Sequence, residues 1–275
     1  MSLRNIFSDK RPFYGQDPYV FSYKGIYWLI ESQNEDRISI SALDDLQNPR
    51  RLNTMVLWDD PKERQVWAPE IHNINGDWYI YYTASDGCNT NHRTFVLHSE
   101  RFLGPYKFCG RVGPDIWGID MTTFTWQNKR YAVWSGWERN GDEFPQNLYI
   151  AEMTSPFTVK DRVKLSVPEL DWELSVCPIL EGPQVWSYGK LKLLYSANAS
   201  WKQEYSTGLL TLNGADPLNP DHWMKRASPV MKNAGHGCML EGYFIYHRKM
   251  STFPGWTDRE IKSLFIKEPT WTRIK

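Results

Sequence analysis

The sequence predicts an all-β fold, a single five-bladed β-propeller spanning residues 1–275. Three observations predict it. Helical periodicity is nearly absent, and short, often alternating apolar runs are bounded by Gly, Pro, Asn and Asp, which is the pattern of strands and turns. Five such runs recur about every 50 to 60 residues, the period of a four-stranded propeller blade, and no block is left over for a second domain. A polar residue stands six or eight positions before the start of each run: Asp17, Glu70, Asp120, Glu181 and His236. Groups at one phase of a closed ring converge on its axis. A pair of β-sandwiches would explain the short strands but not the constant phase.

The elements follow in order. The runs are Gly25–Ile30, Gly76–Tyr82, Asn128–Trp134, Gly189–Tyr195 and Gly242–His247, and each reads as the second strand of a blade. Tight turns precede them at Tyr23-Lys24-Gly25, Asn75-Gly76-Asp77, Gln127-Asn128-Lys129, Tyr188-Gly189-Lys190 and Glu241-Gly242. First strands carry the polar residues. Third strands are expected at Thr94–Ser99, Asn147–Met153 and Ser206–Leu212, with Pro-rich links at 155–157 and 216–220. The outer strands and the tail after Met250 carry little pattern.

Composition narrows the function. Lys+Arg and Asp+Glu both number 32, so no basic excess favours nucleic acid. No apolar stretch reaches the roughly 18 residues of a membrane helix, and the N-terminal MSLRNIFSDKRPF lacks the apolar core of a signal peptide. The expected location is cytoplasmic, or secreted if a signal has been removed. The four cysteines form no CxxC pair and read as free buried thiols, and the Asn198-Ala199-Ser200 sequon matters only in a secreted chain. The 14 Trp suit sheet interiors, with a minority expected to face a ligand. Neither GxGxxG, a P-loop, HExxH, GxSxG nor a calcium-hand loop occurs.

The acids point to chemistry. Alone, Asp17 before Pro18 reads as a turn starter and Glu181 before Gly182-Pro183 as a loop residue. Jointly they place three carboxyl groups at one phase, in strands where a lone carboxylate is costly. Hydrolysis of a glycosidic bond needs one protonated carboxyl to serve the leaving oxygen and one ionised carboxylate to activate water. A third carboxylate beside the acid raises its pKa by repulsion. Trp67 and Glu70 are expected to line the sugar pocket, with Trp117 and Trp201 as further aromatic walls.

The segments Asp17-Pro18-Tyr19-Val20, Trp67-Ala68-Pro69-Glu70, Trp117-Gly118-Ile119-Asp120 and Glu181-Gly182-Pro183-Gln184, with the stretch 195–210, resemble the blade signatures of glycoside hydrolase family 43 over about residues 14–250. The similarity is nearest to α-L-arabinofuranosidase and arabinan-active members. It implies a five-bladed propeller and an inverting mechanism, with Asp17 as general base, Glu181 as general acid and Asp120 tuning Glu181. Inversion asks for base and acid roughly 6.5–9.5 Å apart. The resemblance also places His236 by the central channel, sometimes near calcium or clustered water, and Arg259 against a sugar hydroxyl. A hard cation prefers oxygen, so His236 would hold waters around it, and no cofactor is required. Met121 departs from the small or proline residue usual after the blade-three Asp, and would reshape the pocket floor. The reading is an inverting exo-glycosidase that removes terminal α-L-arabinofuranosyl units from arabinan or arabinoxylan fragments. β-Xylosidase and endo-arabinanase are the alternatives within the family, and a non-catalytic sugar-binding propeller is the alternative outside it. The partner is an oligo- or polysaccharide, with neither nucleic acid nor membrane.

Overall fold

A computed structural model describes residues 13–252 and 258–266. Five separate antiparallel sheets follow one another along the chain. The first holds β1 (Tyr19–Tyr23), β2 (Ile26–Gln33), β3 (Arg37–Leu43) and β4 (Arg51–Asp59). The second holds β5 (Arg64–Ile74), β6 (Asp77–Ser85), β7 (Arg93–Ser99) and β8 (Lys107–Arg111). The third holds β9 (Gly118–Trp126), β10 (Lys129–Gly136) and β11 (Asn147–Ser155), whose outer edge is shared by β12 (Thr158–Val159) and β13 (Val163–Ser166). The fourth holds β14 (Leu180–Tyr188), β15 (Lys190–Ala197) and β16 (Ser206–Leu212), flanked by β17 (Trp223–Lys225) and β18 (Met231–Lys232). The fifth holds β19 (Gly235–Leu240), β20 (Tyr243–Lys249) and β21 (Arg259–Phe265). These are the five blades that the repeat predicts.

The expected turns join the first two strands of each blade. At Lys24-Gly25, Asn75-Gly76, Gln127-Asn128 and Glu241-Gly242 both residues have positive φ, the twist that a two-residue hairpin requires. Second strands are buried on both faces: β6 is buried at every position after its first, whereas the outer β4 is largely exposed. Each blade junction carries its own apolar cluster. Ile30, Ile38, Ile71 and Ile80 join blades one and two, and Val133, Ile150, Leu180 and Leu193 join three and four. Burying one such side chain contributes about 1.5–3 kcal/mol, so the junctions hold the ring.

Closure is where the structure adds to the sequence reading. Blade five takes its outermost pairing from the start of the chain. Tyr14 bridges Glu260, Gly15 N–H donates to the Arg259 carbonyl at 3.2 Å, and Ile261 N–H donates to the Phe13 carbonyl at 2.7 Å. A pairing between residues this far apart in sequence leaves no local pattern in the tail. Two further expectations are corrected. Of the four free thiols only Cys238 is buried, Cys177 is partly so, and Cys88 and Cys109 are exposed in loops or at an outer strand. Met121 does not form the pocket floor. Alternation along β9 turns it away from Asp120 into the cluster with Ile74 and Tyr79 between blades two and three. Among the described residues no helix is long and apolar enough to cross a membrane.

Candidate active site

A cavity of about 470 Å³ opens at the end of the ring opposite the turns that join the first two strands of each blade. Its floor comes from a device repeated in the inner strands of blades two to five. The ladder slips between Trp67 and Glu70, between Glu181 and Gln184, between Gly235 and Cys238, and opposite Ile119 and Thr122. Each slip is a β-bulge, and at each the backbone turns left-handed: Ala68 at φ 43°, Asp120 at 60°, Gly182 at 54°, His236 at 42°, with Asp17 at 47° before β1. These five residues are the equivalent ring positions. The phase inferred from sequence therefore holds for Asp17, Asp120 and His236, while Glu181 lies one residue earlier and Glu70 two residues later.

That offset decides what each side chain meets. Glu181 shares its level with Trp67 and Ile119, and all three line the cavity wall. Glu70 shares its level with Thr122 and Gln184, below the floor. It does not line the cavity, which corrects the expectation for this residue. Its carboxylate accepts from the Gln184 amide and bonds His72 Nε2 at 3.0 Å, and Gln184 Nε2 also reaches Thr122 Oγ1 at 3.5 Å. Glu70 is thus a strut that ties blades two, three and four together under the site.

On the floor, His236 Nδ1 stands 3.1 Å from Asp17 Oδ1 and 3.8 Å from Asp120 Oδ2. Asp120 Oδ2 accepts the Gly182 N–H at 3.0 Å. Gly182 is required there: a Cβ would lie 2.8 Å from His236 Cγ, and φ is positive. Burial pushes the Asp17 carboxyl up, but the charge and hydrogen bond of His236, aided by His247, outweigh it and hold Asp17 well below the usual carboxylate range. Burial, set against the pull of His236 and joined by repulsion from Asp17, raises Asp120 to about 6. Glu181 is pushed up to about 8, first by burial and then by repulsion from Asp120. Burial works against a charge on His236, yet Asp17 and Asp120 raise it to about 10, so the ring is an imidazolium. One carboxyl is ionised and another is protonated at neutral pH, within one cavity.

Aromatic walls complete the site. Trp67 stacks on His92 with centroids 3.9 Å apart, and Trp117 stacks on Trp137 at 4.3 Å and 6°. Trp201 and Arg259 also line the cavity, Arg259 at 5% exposure from the start of β21. Thus Asp17, Trp67, Trp117, Asp120, Glu181, Trp201, His236 and Arg259 are brought together, and Glu70 is not. Sequence reasoning missed Gln16, which stands one residue before Asp17 at the level of Trp67 and Glu181, and Glu35, Gln65, Asn89, Glu143, Phe144 and Gln146, which reach the cavity from loops or strand ends outside the repeat. It also missed His247, whose signal was present: Tyr82-Thr83, Trp134-Ser135 and Tyr195-Ser196 align with Tyr246-His247 at the ends of their runs. No three His, Cys, Asp or Glu side chains among the described residues are grouped to hold a metal, and His236 spends Nδ1 on carboxylates. The donor set does not fit a calcium cage of protein oxygens.

Residues 11–272 match the family model described as glycosyl hydrolases family 43. The chain belongs to that family. This family 43 chain is 30% identical over 262 residues to a Streptomyces chartreusis protein named extracellular exo-α-(1→5)-L-arabinofuranosidase, covering 85% of this chain and 79% of that one. It is 32% identical over 230 residues to α-L-arabinofuranosidase 43 of Humicola insolens, covering 78% of this chain and 47% of the other. The crystal structure of an α-L-arabinofuranosidase from Lactobacillus brevis superposes with a TM-score of 0.78 at 26% identity, covering 90% of each chain. A thermostable family 43 glycoside hydrolase superposes with a TM-score of 0.76 at 23% identity, over 90% of this chain and 88% of that one. The five-bladed propeller and the glycoside hydrolase class therefore stand together.

Proposed function

We propose that the chain, taken over 1–275 as one catalytic domain, is an inverting exo-α-L-arabinofuranosidase acting on arabinan or arabinoxylan fragments. The observation that carries it is that Asp17 and Glu181 line one cavity, in surroundings that push Asp17 toward the ionised form and Glu181 toward the protonated one. Glu181 gives its proton to the glycosidic oxygen as the bond from that oxygen to C1 breaks. A water attacks C1 from the opposite face and passes its proton to the Asp17 carboxylate. The sugar leaves with inverted configuration, and solvent returns a proton to Glu181 and removes one from Asp17. Asp120 keeps Glu181 protonated by repulsion, and the His236 imidazolium offsets the charge of the ionised floor. Trp67, Trp117 and Trp201 offer apolar faces to sugar C–H groups, and Arg259 a cation to a hydroxyl. The reaction needs no metal.

Exo action is supported by the floor: Asp17, Asp120 and His236, with Glu70 bonded to Gln184 beneath them, close the inner end of the cavity. The substrate class is supported by the names of the relatives above. The word extracellular in the Streptomyces name favours the secreted of the two placements.

The test is release of nitrophenol from the α-L-arabinofuranoside, β-D-xyloside and β-D-galactoside by the parent and Asp17→Ala. Turnover of the arabinofuranoside alone, lost in the variant, is expected. Parent-like turnover by Asp17→Ala would remove the base assignment. Preference for the xyloside would replace the substrate.

A further inference from the structure

The second strands meet the axis at equivalent positions. Thr83 pairs with Trp67, Ser135 with Ile119, Ser196 with Glu181 and His247 with Gly235, and in blade one Ser32 stands two residues beyond the Tyr19–Ile30 pair. Each of these side chains latches its blade to the next. Ser32 Oγ donates to the Val66 carbonyl, and Ser135 Oγ donates to the Leu180 carbonyl at 2.7 Å. Thr83 Oγ1 accepts the Asp120 N–H at 3.2 Å, and Ser196 Oγ accepts the His236 N–H at 2.6 Å. Four latches are hydroxyls. The fifth, which closes blade five onto blade one, is an imidazole: His247 Nδ1 accepts the Asp17 N–H at 3.0 Å.

A hydroxyl would serve that backbone bond, as it does for Asp120 and His236. The imidazole does more. Its Nδ1 lies 3.2 Å from Asp17 Oδ1, the same oxygen that His236 Nδ1 approaches at 3.1 Å. The ring is fully buried and lies flat against Tyr205, with centroids 5.3 Å apart and planes 9° apart. Tyr205 is itself pressed on Gly235, where a Cβ would sit 2.1 Å from the tyrosine ring. His247 Nε2 is buried with no hydrogen-bond partner among the described residues, so the hydrogen bonding of the ring is directed at Asp17. Both imidazole contacts fall on Oδ1 of the carboxylate.

The geometry points to His247 as a positioning residue for the base: it clamps Asp17 through N–H and Oδ1, so that Oδ2 is presented to the attacking water. The ring serves the two contacts in alternation. With its proton on Nε2 it accepts the backbone N–H, and with its proton on Nδ1 it donates to the carboxylate. Burial pushes the imidazole down to about 4, so it stays neutral beside the charged His236.

The inference rests on Asp17 being the base, and Asp17→Ala measured alongside separates the two. His247→Ser installs the residue that blade four uses at this position and keeps an acceptor for the backbone bond. The Ser variant loses the packed ring and should melt lower, but at temperatures where it is folded it should keep its KM while kcat on the arabinofuranoside falls about 10- to 100-fold, the effect of a slightly misplaced reacting group. His247→Asn, whose amide reaches the place of Nδ1, should recover part of that loss. If the Ser variant does not fold, His247→Thr, the choice of blade two, repeats the measurement. A folded hydroxyl variant with the parent kcat overturns the inference. So does a joint loss of substrate binding and kcat in the folded variant that Asn does not reverse. Asp17→Ala inactive with His247→Ser fully active would reject the clamp and leave the base assignment standing.

Discussion

His236→Asn tests the electrostatics of the floor. The substitution keeps a polar side chain and removes the imidazolium that stands 3.1 Å from Asp17 Oδ1. At that distance, with an effective dielectric near 20, Coulomb's law gives roughly 5 kcal/mol, or roughly 4 pKa units. This is a ceiling, because dipoles and water relax around the altered charge, and carboxylates beside a cation move by about 1–3 units. The sign follows from the charge. Losing a cation disfavours the ionised carboxylate, so the pKa of Asp17 rises by about 1–3 units. The parent holds Asp17 well below the usual range, so its kcat/KM should stay flat on the acidic side as far down as the protein stays folded. The variant should acquire an acidic limb, with activity lost as pH falls through it. Glu181 loses the same cation, so its limb, near 8 in the parent, should also move upward. The assay is kcat/KM for the nitrophenyl arabinofuranoside across the pH range, with folding checked at each end. A profile that does not move, or an acidic limb that moves to lower pH, would refute the role given to His236.

Three further predictions concern the acid and the metal. In the parent, kcat/KM should fall as pH rises through about 8, because Glu181 must be protonated to act. Glu181→Gln should abolish that limb and lower kcat by about 10²–10⁴-fold on oligosaccharides, with a much smaller loss on nitrophenyl substrates, whose leaving group needs little protonation. Equal losses on both substrate types would count against Glu181 as the acid. Exhaustive chelation followed by gel filtration should leave kcat and melting temperature unchanged. A loss restored by calcium would overturn the metal-free reading of the reaction.

The repeat was legible because turn chemistry and strand alternation are local. Asn75-Gly76 is a pair that favours a positive-φ hairpin turn, Gly242 tolerates the same conformation after Glu241, and the runs after them are too apolar to lie anywhere but between blades. Five turns at blade spacing therefore determined the fold class, and Asp17, Asp120 and His236 could be placed on the axis from spacing alone. The level of each side chain within the ring was not legible. A β-bulge inserts a residue in the inner strand, and a shift of one or two positions exchanges wall, floor and strut. Tertiary structure thus decided that Glu181 enters the cavity wall one residue before its repeat position, that Ala68 holds the floor position of blade two, and that Glu70 braces Gln184 beneath it. It also decided the partners. The pairing of residues 13–15 with β21, and the reach of His247 to Asp17 across 230 residues, are contacts that only ring closure creates. The sequence by itself determined which strands form and which acids share an axis. Only the closed ring decided which carboxyl is ionised, because burial and the charge of His236 act through distance in space, not along the chain.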